Sequence, residues 1–265
     1  MAIRFCILGS GSSGNCAFLH TEKARILVDA GFSVRKLTQL LAGIGESMSA
    51  IDAIFITHEH GDHSAAVDGL AKFPQIQVFA NGSTAGAIQT GLDHRPAWQI
   101  FQTGSRFRFR DLEVHTFSVP HDAQEPVGFR FTHGFPEDLF APERSLVWLT
   151  DLGHAPVHVR EHVRVSDVIV VESNHCSELL KNDQKRPWSL KQRISGRHGH
   201  LSNQSTFELL QSAVSPRWRH VFLTHLSRDC NSLEAVQRTF AAAAPWLRCP
   251  LSIVGPGVTT PVLEF

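Results

Sequence analysis

ITHEHGDH, residues 56–63, places His58, His60, Asp62 and His63 directly after the apolar run that begins at Ile51. Along an extended segment the side chains of residues i and i+2 point the same way, so His58 and His60 can converge on one ion. Gly61 then turns the chain, and Asp62 and His63 can face a second ion beside the first. Imidazole and carboxylate donors suit Zn²⁺, and also Mn²⁺ or Fe²⁺. A merely solvated loop explains one histidine well, but it explains an HxHxDH pattern after a β-type run poorly.

Four ligands do not complete two sites, so others must arrive from elsewhere. The candidates stand where other apolar runs end: His121 after FSVP, Asp151 after LVWLT and His225 after VFLT. A strand-end position places them along one edge of a sheet, although any one of them also reads as an ordinary satisfied polar residue.

Working outward, IRFCIL runs into the glycine-rich GSGSSGN, and ARILVDAG is read as the next strand. SVRKLTQLLAGIG has helical periodicity, and SAAVDGLAKF is read as a helix following the histidine motif. FRFRDLEVHTFSV alternates, and SLVWLT, SDVIVV and HVFLT read as strands, with helices over SNQSTFELLQSAV and SLEAVQRTFAAAA. Strands alternate with helices, so the class is α/β. Nothing in composition divides the chain, and one domain is expected over residues 1–265.

Lys+Arg and Asp+Glu are equal at 25 each, so any anion or nucleic-acid site has to be local. Histidine is in excess at 16, and tyrosine is absent. The five cysteines form no CxxC pair and read as reduced thiols. The N-terminal stretch lacks a secretory pattern, and no apolar run nears the ~20 residues a membrane span requires. A cytoplasmic protein without membrane contact is expected.

One local basic run exists. Residues 181–200 carry Lys181, Lys185, Arg186, Lys191, Arg193 and Arg197 against the single acid Asp183, with Trp188 among them. A basic run with an aromatic fits a single-stranded nucleic-acid backbone, with Lys185, Arg186 and Arg193 as the candidate contacts. A solvated charged surface is the alternative. GSGSSGN offers backbone N–H groups for a phosphate or for close approach to the metals, and it equally reads as a tight turn.

THEHGDH resembles the signature of the metallo-β-lactamase fold, a four-layer αββα sandwich with a dinuclear metal site on one edge. The resemblance implies His58, His60 and His121 on one metal, Asp62, His63 and His225 on the other, and Asp151 bridging. It also implies that Asp29, in ILVDAG, orients the metal loop without being a ligand. Further strings, GSGSSGNC, HDAQEPVGF, VESNHCSELL, RPWSLKQRI and HLSRDCN, resemble the exonuclease-like YycJ/WalJ group of that fold. Neither Cys176 nor Cys230 is assigned as a ligand. GHLSNQS and VVESN are similar to loops of tRNase Z-type nucleases, which implies a proton-transfer role for His200 and Glu172; a structural His200 is the alternative.

The resemblance thus implies a metallo-hydrolase that cleaves nucleic-acid phosphodiesters, DNA rather than RNA, in the 5′→3′ direction. It would use water activated by two divalent transition-metal ions (Zn or Mn, with Fe as a further option), and Asp62 is a candidate proton acceptor as well as a ligand. Two alternatives stand beside it: a phosphodiesterase for small or cyclic phosphodiesters, and a non-catalytic metal-binding regulatory module.

Overall fold

The computed structural model describes residues 3–134 and 142–265. The first half of the chain runs β1 (Arg4–Gly9), β2 (Cys16–His20), β3 (Arg25–Val28), α1 (Val34–Gly43), β4 (Ala53–Phe55), α2 (Gly61–Ser64), β5 (Gln77–Asn81), α3 (Gly82–Gln89) and β6 (Ala97–Phe101). The second half runs β7 (Arg106–Phe109), β8 (Leu112–Ser118), β9 (Val127–His133), β10 (Arg144–Leu149), α4 (Val157–Arg164) and β11 (Val168–Glu172). It continues with α5 (Ser177–Asn182), α6 (Trp188–Ser195), α7 (Asn203–Ala213), β12 (His220–Thr224), α8 (Leu233–Phe240), β13 (Leu251–Ile253) and β14 (Leu263–Glu264).

Each half builds one sheet, except that β14 returns to pair antiparallel with β1 in the first. The first has the order β14-β1-β2-β3-β4-β5-β6 and the second β13-β12-β11-β10-β9-β8-β7. Antiparallel pairing joins β1 to β3, and β3 to β6 are parallel. The second sheet repeats the scheme, antiparallel from β7 to β10 and parallel from β10 to β13.

Alternation along the strands produces the layers. Phe5, Ile26 and Phe55 of the first sheet meet Phe129, Trp148 and Val170 of the second in the central core. The intervening residues face outward: Leu27 and Ile54 pack under Leu37 and Leu41 of α1, while Val147 and Val171 pack under α4 and α7. Both faces of each sheet are thereby covered, which is what near-continuous apolar parallel strands require. The result is the expected α/β, four-layer αββα sandwich.

Two readings need correction. SAAVDGLAKF is not one helix: α2 stops at Ser64, and a 3₁₀ turn covers Val67–Lys72. The Ala66 amide donates to the Ala30 carbonyl instead of extending α2, which interrupts the α-helical ladder. FRFRDLEVHTFSV is a hairpin rather than one strand, turning at Arg110, whose φ is +55°.

Candidate metal centre

The candidate ligands share one sheet edge because of strand direction. Parallel β3 and β4 deliver Asp29 and His58, and parallel β10, β11 and β12 deliver Asp151, Glu172 and His225, at their carboxyl ends. Strand β8 is antiparallel to β9, which is antiparallel to β10, so β8 runs with β10 and brings His121 to the same edge. Open α/β sheets place their sites at this edge. Asp29, Asp151 and His225 turn sharply as they leave their strands, with φ of +58°, +58° and +54°. Non-glycine residues seldom occupy this left-handed region, and such strain clusters at functional sites.

Three overlapping groups of donors result. The ligating atoms of His58, His60 and His121 lie within 4.8 Å of one another, as do those of Asp62, His63 and His225, and those of His58, His63 and Asp151. Glu172 and His200 join Asp151 and His225 in a fourth group. All seven candidate ligands are therefore brought together, with Glu172 and His200 adjoining them.

The donor set fits divalent metal ions. His63 donates from Nδ1 to Asp29 Oδ2 at 2.8 Å, His121 from Nδ1 to the Gly199 carbonyl at 3.1 Å, and His58 Nδ1 lies 2.9 Å from Thr57 Oγ1. Each contact leaves the opposite ring nitrogen to face the cluster, the arrangement that fixes tautomer in metal-ligating histidines. Asp151 Oδ2, 3.0 Å from His63 Nε2, is buried without a hydrogen bond among the described residues, as is His225 Nε2, 3.7 Å from Asp62 Oδ2. His58 Nε2 and His60 Nδ1 approach to 3.1 Å. Buried polar atoms aimed at one another's lone pairs are costly unless a cation lies between them.

Electrostatics agree. Burial disfavours charge on His225, yet Asp151, Asp62 and Glu172 outweigh it and raise its pKa to about 10. His63 is likewise raised well above the usual imidazole value, as Asp151 and Asp29 overcome its burial. His58 moves well below it, through burial first and then the neighbouring His63. Protons on His63 and His225 answer the negative charge of Asp29, Asp62, Asp151 and Glu172, a demand that a bound divalent cation also meets.

Asp29 is fully buried, and its carboxylate is completely engaged. Oδ1 accepts from the Thr57 amide at 2.8 Å and hydroxyl at 2.9 Å, and Oδ2 accepts from His63 and from Trp148 Nε1 at 3.2 Å. It thus ties the histidine motif to the second sheet. Thr57 and Trp148 were not legible as site residues, because each sits inside an apolar strand run.

His200 donates from Nδ1 towards Glu172 Oε2 at 3.0 Å and lies 3.4 Å from Asp151 Oδ1. Glu172 is fully buried; burial opposes its charge, but His200 leads the groups that hold its pKa at about 2. His200 lines a cavity of about 250 Å³ together with Asp62, Asp151, Arg186, Arg193 and Ile194.

The basic run spans the end of α5, the connection to α6 and α6 itself, and it does not stand uncompensated. Lys185 and Arg186 pair with Asp229 at 3.1 and 3.0 Å, Arg186 also pairs with Asp183 at 2.9 Å, and Arg193 pairs with Asp122. Lys191 is buried and donates to the Lys181 carbonyl. Helix α6 turns Leu190, Arg193 and Ile194 to the cavity. Trp188, about 200° round the helix from Leu190, stands 66% exposed away from it.

The glycine-rich loop approaches the metal loop rather than standing open. Gly31, which follows β3, packs between them: a Cβ there would lie 1.7 Å from the Asp62 carbonyl oxygen, so only glycine fits. The Asn15 amide donates to that same carbonyl at 2.8 Å, and Gly31 donates to the Asn15 carbonyl at 3.0 Å.

Comparison with known proteins places this geometry in a lineage. A family model described as a beta-lactamase superfamily domain matches residues 24–226, a span that contains Asp29 and every candidate ligand. Exodeoxyribonuclease WalJ of Streptococcus pneumoniae serotype 2 (strain D39 / NCTC 7466) is 36% identical over 243 residues, covering 90% of this chain and 87% of that protein. Exodeoxyribonuclease YycJ of Bacillus anthracis is 32% identical over 236 residues, covering 88% and 86%. Among solved structures, the metallo-beta-lactamase fold protein YhfI from Bacillus subtilis superposes with a TM-score of 0.71 at 14% identity, covering 98% of this chain and 99% of that one. The chain belongs to the beta-lactamase superfamily and, within it, to the WalJ/YycJ group of metallo-hydrolases.

Proposed function

We propose that the protein is a 5′→3′ exodeoxyribonuclease with two divalent transition-metal ions, Zn or Mn. The observation that carries this reading is the exodeoxyribonuclease relatives' match over nine tenths of the chain, the whole donor cluster included. His58, His60 and His121 would hold one ion, and Asp62, His63 and His225 the other, with Asp151 between them. When bound, such ions lower the pKa of an attacking water and neutralise charge on the phosphate.

The chain's own residues supply the remaining chemistry. Asp62, whose carboxylate borders the cavity, is the proton acceptor for the attacking water as well as a ligand. Expelling a sugar oxygen demands a proton; His200, held through Nδ1 by Glu172, is placed to deliver it from Nε2. Arg186 and Arg193 on the cavity wall, with Lys185 nearby, are the candidate backbone contacts.

The test uses oligodeoxynucleotides labelled at the 5′ or the 3′ end, single- and double-stranded, incubated with Mn²⁺ or Zn²⁺ beside RNA of the same sequence. A 5′→3′ exonuclease releases mononucleotides from the 5′ end first. Internal cuts, or release from the 3′ end first, would overturn the stated polarity.

A second reading, a phosphodiesterase for small or cyclic phosphodiesters, draws support from the ion pairs that occupy Lys185, Arg186 and Arg193. Faster turnover of a cyclic dinucleotide than of any oligonucleotide would favour it.

A further inference from the structure

Ser10 and Asn15 sit at the two ends of the glycine-rich turn, and both are buried. Their contacts run in one direction across the molecule. The His225 amide donates to Ser10 Oγ at 2.8 Å, and Ser10 Oγ donates to Asn15 Oδ1 at 3.2 Å. On its other side Asn15 Nδ2 reaches the Asp62 carbonyl at 3.3 Å and Asp62 Oδ2 at 3.4 Å, and lies 3.0 Å from His63 Nε2. The Asn15 amide fixes the Asp62 peptide from the backbone as well.

His225 comes from the second sheet, and Asp62 and His63 from the first. They form one donor group, whose geometry therefore depends on holding two independent layers in register. Asp29 performs such a tie for His63, through Trp148. Nothing assigned so far performs it between Asp62 and His225, whose Oδ2 and Nε2 stand 3.7 Å apart.

We infer that Ser10 and Asn15 form a strut between the two sheets that sets the spacing and aim of Asp62 against His225. They are positioning residues for the metal pocket of Asp62, His63 and His225, and touch neither substrate nor leaving group. The inference rests on the metal-centre reading of the proposed function. Asn15 Oδ1 is kept in register by the Gly11 amide at 2.9 Å, and Asn15 Nδ2 reaches back to the Gly11 carbonyl at 3.2 Å. With its oxygen occupied by donors, the side-chain amide presents only N–H to Asp62. A carboxylamide is needed for this: an aspartate would set a second negative charge against Asp62, and a hydrophobic residue would leave the Asp62 and Ser10 groups unpaired.

The test compares wild type with Asn15→Ala, Asn15→Asp, Ser10→Ala and the double variant Ser10→Ala/Asn15→Ala. Zinc affinity is read by competition with a coloured chelator, and Co²⁺-substituted protein is read by its visible absorption. The strut predicts that one of the two zinc steps is roughly 10–100-fold weaker in Asn15→Ala, as for other outer-shell partners, with the other step unchanged. It predicts an altered cobalt band, an effect at least as large in Asn15→Asp, and a smaller loss in Ser10→Ala. The double variant should lose less than the sum of the single losses, because both act through one chain of contacts.

Unchanged zinc steps, or fully additive losses, would overturn the inference. Ser10→Ala is the milder change, and keeps the test decisive if Asn15→Ala fails to fold. Because these readouts need no nucleic acid, their outcome stands apart from whether the enzyme degrades DNA.

Discussion

His200 Nδ1 lies 3.0 Å from Glu172 Oε2, while Glu172 Oε1 accepts the backbone amides of Leu152 at 2.8 Å and Leu201 at 3.0 Å. The glutamate cannot swing away without stranding two buried donors, so the imidazole is aimed by a fixed carboxylate. His200→Ala should therefore slow DNA cleavage about 10²–10⁴-fold, the usual contribution of a positioned acid. Cleavage of a p-nitrophenyl phosphodiester should fall far less, since its leaving anion needs no proton. Equal losses on both substrates, with metal retained, would make His200 structural.

Metal content follows from Asp151. Elemental analysis of purified protein should find close to two transition-metal ions per chain, because seven candidate donors exceed one tetrahedral site. Asp151→Ala should hold at least one ion fewer. A single ion in wild type, unchanged in the variant, would refute a dinuclear centre.

The ion pairs of α6 and of the connection that precedes it make a two-sided expectation. Replacing Lys185, Arg186 and Arg193 together by Ala should weaken oligonucleotide binding and flatten its salt dependence, by a slope of about 0.7 per lost phosphate contact on a single strand. Replacing Asp122, Asp183 and Asp229 by Asn removes the acids paired with these cations and should steepen that slope. Titrations at several salt concentrations, read by fluorescence anisotropy, check both; slopes identical to wild type would return the segment to plain surface.

Acid sensitivity should arise away from the centre as well as within it. Burial, and then the neighbouring histidine and arginines, lower His162 to about 3; burial, Arg106 and Arg130 lower His115 to about 4. Both lie below the unfolded value near 6.5, so the unfolded chain binds protons first, and stability drains as pH falls from about 6.5 towards these values. The His162 ring stacks on Phe117 at 3.9 Å between centroids. His162→Phe keeps the ring and removes the titration, so its melting temperature at pH 5 should exceed wild type by about 2–4 °C, with little difference at pH 8. A difference independent of pH would exclude the histidine as the cause.

The legible parts of the sequence were those whose cause is local. Apolar runs ending near His58, His121, Asp151 and His225 announced strand ends and a shared sheet edge. Strand β2, CAFLH, and strand β9, VGFRFTH, escaped notice because they lie inside sheets whose pairing is not written in either segment. The acids that meet the basic run escaped for the same reason: Asp229 lies 44 residues from Lys185, and Asp122 lies 71 from Arg193. Trp188 reads on the sequence as the aromatic of a nucleic-acid-binding run, and only the helical phase of α6 turns it away from the cavity.

The left-handed turns at Asp29, Asp151 and His225 carry an evolutionary consequence. Each such backbone costs of order 1–3 kcal/mol where the residue is not glycine, and glycine at the same place would relax it. Glycine in place of Asp151 or His225 would also remove a working donor and, at Asp151, the carboxylate that faces buried His63 and His225. Lineages that keep the aspartate and histidine there carry that backbone strain, and a drift to glycine at either position in a relative would mark a fold retained after its chemistry was abandoned.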